Sequence, residues 1–242
     1  MQNQYSTKYT GLQELLNTEE SMSNYNSHIV NLFLNEMQIK VDSIILDFGA
    51  GIGTLAKIIE KKTSITPICL DIDSVNKTYL KKRGYKFIDS LEYVKNEYDI
   101  VFSSNVLEHI ENDQKILKLI SKALKDKGKL FLYLPAFQAL FSGMDHSVGH
   151  YRRYEKKELI NKCLKAGFKI NKIYYDDSIG YFASLMLKII TRNKNMSHET
   201  LLNTKTLKLY DKFILPISLF IDFLGFKKLF GKNIVVVCEK IN

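Results

Sequence analysis

The chain has 242 residues, 45% of them hydrophobic and 25% charged, the balance of an ordinary globular protein, which excludes disordered, collagen-like and disulfide-stapled classes. A formal net charge of +9 leaves an anionic partner open, but only four of the 35 basic residues are arginines (Arg83, Arg152, Arg153, Arg192). The scattered lysines therefore read as a solvated surface rather than a nucleic-acid footprint. Cys69, Cys163 and Cys238 sit far apart in apolar runs with no metal-ligand spacing, which predicts reduced core cysteines and no metal.

No positively charged start leads into an apolar run at MQNQYSTKYT, which predicts a cytoplasmic protein. In chain order, residues 11 to 38 carry Ile29, Leu32, Phe33 and Met37 at helical spacing, so residues 1–40 read as an N-terminal helical cap. VDSIILDFG then reads as a strand stopping at a glycine turn, with TLAKIIEKK resuming helical periodicity. The alternation repeats: SITPICLDID as strand, SVNKTYLKKRG as helix, YKFID and EYDIVFSSN as strands, NDQKILKLISKALKDKG as helix and KGKLFLYLP as strand. KKELINKCLKAGFKI reads as a helix ended at Gly167, FKINKIYYD as a strand and NIVVVCEK as the last strand. Such alternation means a mostly parallel sheet with helices on both faces, and residues 178–232 form a helical insertion before the last strand. One domain over 1–242 is expected. The insertion contains an apolar segment broken by Asp211, Lys212, Pro216 and Asp222, too interrupted to span a membrane. It reads as a packed or dimer-forming helix, with peripheral membrane contact through 206–226 as the alternative.

DFGAGIGT carries glycines at 49, 51 and 53 directly behind a strand. There, backbone N–H groups and a helix N-terminus meet a ligand at the sheet edge. A dinucleotide fingerprint needs glycine where Thr54 stands, which disfavours a nicotinamide oxidoreductase. The second strand ends in LDID, placing the Asp71 carboxylate where it can accept both hydroxyls of a ribose.

With DFGAGIGT, LDID, Asp89 after the third strand and DIVFSSNVLEHI at the fourth, the chain resembles the class I S-adenosylmethionine-dependent methyltransferases over roughly residues 42 to 175 and the final strand. The resemblance implies an α/β, Rossmann-like seven-stranded class I methyltransferase sheet with its last strand antiparallel, and S-adenosylmethionine across the strand ends. It implies that Gly49, Ala50, Gly51 and Gly53 line the methionine and ribose portion, with Asp47 near the cofactor ammonium. Asp71, with Ile72 beside it, would hold the ribose; Asp89 and Ser90 the adenine; Asn105 and Val106 the methionine end. Asp73 and Asp89 could equally cap helices.

His109, His146 and His150 are the candidate catalytic residues. PAFQALFSGMDHSVGHYRRY is similar to a GHxRRY-containing subgroup of these methyltransferases associated with surface glycan and capsule assembly, matched by Pro135, Asp145, His146, Gly149, His150, Arg152, Arg153 and Tyr154. A histidine near neutral pKa can take a hydroxyl proton, and two guanidinium groups can bind phosphate or carboxylate. This predicts His146 or His150 as base, Arg152, Arg153 and Tyr154 as acceptor-binding residues, and O-methylation of a small anionic, glycan-related acceptor. Pinning of the loop by Arg152, Arg153 and Tyr154 is the competing structural role, as it is for His109. A Glu108/His109 metal site lacks a visible third ligand.

A lipid-linked acceptor is the runner-up, motivated by FILPISLFIDFLGF. A nucleic-acid methyltransferase is less supported: the fourth strand ends in SSNVLEHI rather than an Asn/Asp-Pro-Pro-aromatic loop, and Pro135 precedes Ala136 rather than a cysteine. A non-catalytic binding module would not need every cofactor position intact. Tyr5, Tyr9 and Tyr25 are expected to close over the cofactor, and the assembly is expected to be a monomer or homodimer.

Overall fold

The computed structural model describes residues 11–192 and 204–241; Tyr5, Tyr9 and part of the insertion lie outside them. The apolar runs of the strands, buried on both faces, assemble into a seven-stranded sheet of order β3-β2-β1-β4-β5-β7-β6. Its strands are β1 (Ile45–Phe48), β2 (Ile68–Leu70), β3 (Phe87–Ile88), β4 (Tyr98–Ser104), β5 (Leu124–Pro135), β6 (Phe168–Asp176) and β7 (Asn233–Lys240). β1 to β5 pair in parallel, and β7 runs antiparallel between β5 and β6. The expected topology, last strand included, is observed.

Alternation along β5 builds the two halves of the core. Leu130, Leu132 and Leu134 face one way, under helices α5 (Asp113–Ala123) and α7 (Lys156–Lys165), whose Leu117, Ile120, Leu159 and Cys163 are buried there. Phe131 and Tyr133 face the other way, toward α2 (Ser23–Glu36) and α3 (Thr54–Thr63). There Phe33 meets Phe102 and Phe131 edge-on, with ring centroids 4.9 and 5.5 Å apart. Removing such large side chains from water supplies about 1.5–3 kcal/mol each, and it fixes the register that carries the strand ends.

Two elements differ from the periodicity. The leading helical segment breaks at Met22 into α1 (Leu12–Ser21) and α2, because the Asp211 carboxylate accepts the N–H groups of Asn24 (3.0 Å) and Tyr25 (2.8 Å) and so restarts the helix. The predicted helix through Lys127 stops at Ala123: Leu124 pairs with Tyr98, the chain bulges at Lys127 (φ 59°) and pairing resumes at Lys129. Sheet pairing there overrides a lysine-rich helical pattern.

Helix α4 (Ser74–Lys82) and the short α6 (Gly143–Ser147) complete the sheet's surround. Beyond β6, α8 (Ser178–Arg192) and a pair of helices, α9 (Thr204–Leu209) and α10 (Leu215–Phe223), flank a π-turn over Tyr210–Ile214. Pro216 in the first turn of α10 has no N–H to donate, and the π-turn before it absorbs the missing bond. Asp222 on α10 in turn accepts the N–H groups of Asp177 (2.8 Å) and Ser178 (3.2 Å), capping α8. No helix among the described residues is long and apolar enough to cross a membrane.

Candidate functional site

The C-terminal ends of β1, β2, β4 and β5 share one edge, and the glycine turn lies on it. Gly49 takes φ +79°, and a Cβ built there would stand 2.2 Å from Cγ2 of Val106. The turn is thus locked against the end of β4 with no room for a side chain. Asp71 holds the other side: its Oδ2 accepts the Gly51 N–H at 2.8 Å, and Oδ1 accepts the Asp73 N–H at 2.9 Å and the Asn76 amide at 3.2 Å. Ala50 donates its N–H to Leu70 O at 2.9 Å, and Ile72 is exposed beyond the strand end. α1 lays Leu15 over Gly51, the distance to an added Cβ being 3.2 Å.

Asp47, at the base of this cradle, is 2% exposed. Its Oδ2 has no hydrogen-bond partner. Burial, with the Asp71 charge second, pushes its carboxyl up to about 7. A buried carboxylate in that position calls for a cationic ligand group.

The remaining predicted cofactor residues are distributed along the same edge. Asn105 takes a left-handed φ of 53°, donates its N–H to Tyr133 O at 2.8 Å and hydrogen-bonds Tyr25 through its side chain. Asp89 pairs with Lys77 and is exposed, while Ser90 Oγ accepts the Glu92 N–H at 3.1 Å. Asp73 caps α4 by accepting the Val75 N–H at 2.7 Å, the helix-capping role anticipated for it.

A single turn of 3-10 helix (Leu107–His109) follows β4, and the loop after α6 docks on it through the Tyr151 N–H to Glu108 O bond of 2.8 Å. Docking brings His150 against His109, ring centroids 4.5 Å apart and edge-on. Asp145 organises the loop. Its Oδ1 meets His150 Nδ1 at 2.9 Å and accepts from Arg153 Nε at 2.8 Å, while Oδ2 accepts the Ser142 N–H at 2.9 Å. These partners hold the Asp145 carboxyl below the usual carboxylate range against the opposing effect of burial. Glu108 is fully buried and pushed up to about 7 by that burial; His109 is held down to about 4, by burial first and by His150 next. The cluster thus contains a neutral imidazole and a buried carboxyl group.

The predicted acceptor residues separate. His146 is exposed and packs edge-on against Phe141 at 4.8 Å, away from the Glu108, His109 and His150 group. Arg152 is engaged by Asp113 Oδ2 at 2.9 Å and by the carbonyls of Ile110 and Glu111 at 2.9 and 2.8 Å. Tyr154 is buried and donates to Asp113 at 2.9 Å. Both therefore sit in the loop-pinning arrangement. Arg153 keeps a buried Nη1 with no partner.

Sequence reasoning missed a second polar group, at the ends of β5 and β6 and the start of β7. Tyr133 donates to Asp176 Oδ2 at 2.8 Å and accepts from Asn233 at 2.8 Å, and Tyr210 and Ser218 hydrogen-bond Asp177. Lys232 stands among them, its ammonium 6.0 Å from the Tyr25 ring and 5.6 Å from the Tyr210 ring. Among the described residues that ammonium makes no ion pair, and burial pulls it below the ordinary lysine range, with the Arg153 cation adding to the effect and the Asp177 and Asp145 carboxylates opposing it. The signal available in sequence was the adjacent Asp176 and Asp177 at a strand end, ahead of an apolar insertion.

Comparison with known proteins agrees with this geometry. The profile of a family described as a methyltransferase domain matches residues 19–173. A curated relative, (S)-coclaurine N-methyltransferase of Papaver somniferum, is 28% identical over 121 residues, 43% of this chain and 33% of that protein. Glycine/sarcosine/dimethylglycine N-methyltransferase of Actinopolyspora halophila is 22% identical over 129 residues, 48% of this chain and 23% of that protein. The chain thus spans a third or less of the curated relatives it matches. In fold it is similar to a SAM-dependent methyltransferase of Archaeoglobus fulgidus, with TM-score 0.60 and 16% identity over 94% of this chain and 99% of that one.

Proposed function

The chain belongs to the family of methyltransferase domains, and on that premise we propose that it methylates a small acceptor bearing a phosphate or carboxylate, with S-adenosylmethionine as donor. The observation that carries the donor assignment is Asp47: a buried carboxylate oxygen with no partner, at the base of a glycine turn that has no room for a Cβ at Gly49. That pairing suits a ligand with an ammonium group and no pyrophosphate. Asp71, already accepting from Gly51, Asp73 and Asn76, keeps about one of its four lone-pair sites, on Oδ2, for a ribose hydroxyl. When bound, the cofactor supplies an electrophilic methyl group on a sulfonium sulfur: the acceptor lone pair forms the new bond to carbon while the S–CH3 pair returns to sulfur, leaving a neutral thioether. The chain's own residues align the acceptor, exclude water and remove its proton toward the Glu108, His109 and His150 group.

Two cations support an anionic acceptor. Among the described residues Lys232 makes no ion pair, and Arg153, paired with Asp145 through Nε, has a buried Nη1 with no partner. A phosphate or carboxylate can accept from both. The GHxRRY resemblance favours a hydroxyl acceptor of the kind used in surface glycan assembly, whereas the curated relatives are amine methyltransferases by name.

One observation favours a lipid-linked form of the acceptor. Phe182 and Met186 on α8, and Ile217, Phe220 and Phe223 on α10, are exposed, Phe223 at 83%, near Lys205, Lys208 and Lys212 in sequence. Exposed aromatic and aliphatic groups with neighbouring lysines fit an anionic lipid surface.

A methyl-transfer assay against sugar phosphates, uronic acids, small amines and a lipid-linked sugar phosphate in anionic vesicles tests the proposal. Turnover is expected with the anionic acceptors, and Lys232→Met raises KM for them about ten-fold or more, the loss of one charge-assisted contact. Faster turnover in vesicles selects the lipid-linked form. Turnover confined to uncharged amines, with Lys232→Met behaving as wild type, would sink the anionic-acceptor reading.

A further inference from the structure

Glu108, His109 and His150 present one carboxylate oxygen and two imidazole nitrogens that all lie within 4.8 Å of one another. Sequence spacing conceals this, because His150 reaches the pair only when its loop docks on the turn at Glu108. Two further observations point to a ligand. Glu108 is 0% exposed, yet neither of its oxygens has a hydrogen-bond partner in another residue; His150 Nε2 stands 3.9 Å from Oε1, too far to hydrogen-bond. Each imidazole is also held by groups outside the cluster. Asp145 meets His150 at Nδ1, which leaves Nε2 facing Glu108, and backbone groups of Val148 and Gly149 hydrogen-bond the His109 ring. Outer carboxylates and backbone groups orient metal-bound histidines in the same manner.

We propose that Glu108, His109 and His150 bind a divalent first-row transition ion of the zinc type, two histidines and one carboxylate leaving a coordination position open. Donors bonded to zinc at about 2.0–2.2 Å lie roughly 3.3–3.6 Å apart in a tetrahedron, so the three close inward modestly on binding. Half-buried His109 and His150 leave the site reachable from solvent while Glu108 is sealed. With an ion bound, the three donors no longer take the acceptor's proton themselves; the ion acts on the acceptor as a Lewis acid, so that its hydroxyl or amine loses the proton to solvent more easily. That role rests on the methyl-transfer reading; the binding itself does not.

Cobalt(II) added to chelator-treated protein tests the site through the visible absorption of the bound ion. One equivalent binding with micromolar or tighter affinity is expected. Glu108→Gln and His150→Ala each weaken binding about ten-fold or more, Asp145→Asn weakens it about ten-fold as an orienting partner, and His146→Ala leaves it unchanged. Absence of a one-equivalent site in the wild type overturns the proposal whatever the variants do, as does a site that survives both Glu108→Gln and His150→Ala. Calorimetry with S-adenosylhomocysteine on the same chelator-treated protein separates the two readings. Cofactor binding without cobalt binding defeats the metal site alone, and cobalt binding without cofactor binding defeats the methyltransferase reading alone.

Discussion

Gly49→Ala lowers affinity for S-adenosylhomocysteine, and methyl transfer with it, about a hundred-fold. The alanine Cβ would stand 2.2 Å from Val106 Cγ2 on a residue at φ +79°, and both the overlap and the left-handed backbone oppose it. Relief comes from moving the turn or Val106, at a cost of about 1–3 kcal/mol. Stability falls only moderately, because the sheet core behind the turn is untouched. The cradle moves, however, and a shift near 1 Å in groups that position a reactant costs about a hundred-fold in rate. Calorimetry on protein shown to be folded by circular dichroism checks this. Wild-type affinity in Gly49→Ala would mean that the ligand does not lie against the turn.

Asp113→Ala lowers Tm by about 6–12 °C. One buried carboxylate receives Arg152 at 2.9 Å, Lys162 at 2.7 Å and the Tyr154 hydroxyl at 2.9 Å. These partners keep its carboxyl below the usual range against the opposing effect of burial. Deleting it leaves the buried phenol unpaired, Arg152 with only the Ile110 and Glu111 carbonyls, and Lys162 with only Glu158 at 3.4 Å. Arg152 and Lys162 keep about a fifth of their exposure, so the low end of the cost of breaking such a pair applies, about 3 kcal/mol, and each kcal/mol moves Tm about 2–4 °C at this chain length. Asp113→Asn, which can still accept from Tyr154, loses about half as much. Equal Tm values for wild type and Asp113→Ala would show that the GHxRRY loop is held some other way.

The architecture was legible because its causes are local. Aliphatic runs such as SIILDFG and KLFLYLP are too apolar for one-sided strands, and the helices between them carry plain 3.6-residue periodicity. The glycine turn and Asp71 could be located for the same reason. What escaped depends on contacts between residues distant in the chain. Leu124 continues a helical pattern by itself and joins the sheet only because Tyr98 lies beside it. Met22 interrupts a helix because Asp211 arrives from the insertion. Adjacent arginines suggested an anion site, but Arg152 is taken by Asp113, a residue with no distinguishing local pattern, while Lys232 was one lysine among many until folding placed it within 6.0 Å of two tyrosine rings. The Glu108, His109 and His150 group is likewise a product of loop docking.

The central claim, a cofactor ammonium met by Asp47 beneath the glycine turn, is tested most directly by calorimetric titration with S-adenosylhomocysteine at pH 6, 7 and 8. In the free protein the Asp47 carboxyl titrates at about 7 because it is buried beside Asp71, with no cation at hand. A bound ammonium favours the carboxylate, so binding at pH 6 expels a proton and affinity rises about ten-fold from pH 6 to pH 8. Asp47→Asn is expected to bind about 10- to 100-fold more weakly at pH 8 and to lose this pH dependence. Failure to bind S-adenosylhomocysteine, tighter binding of NADH, or an Asp47→Asn variant with wild-type affinity and the same pH slope would contradict the account.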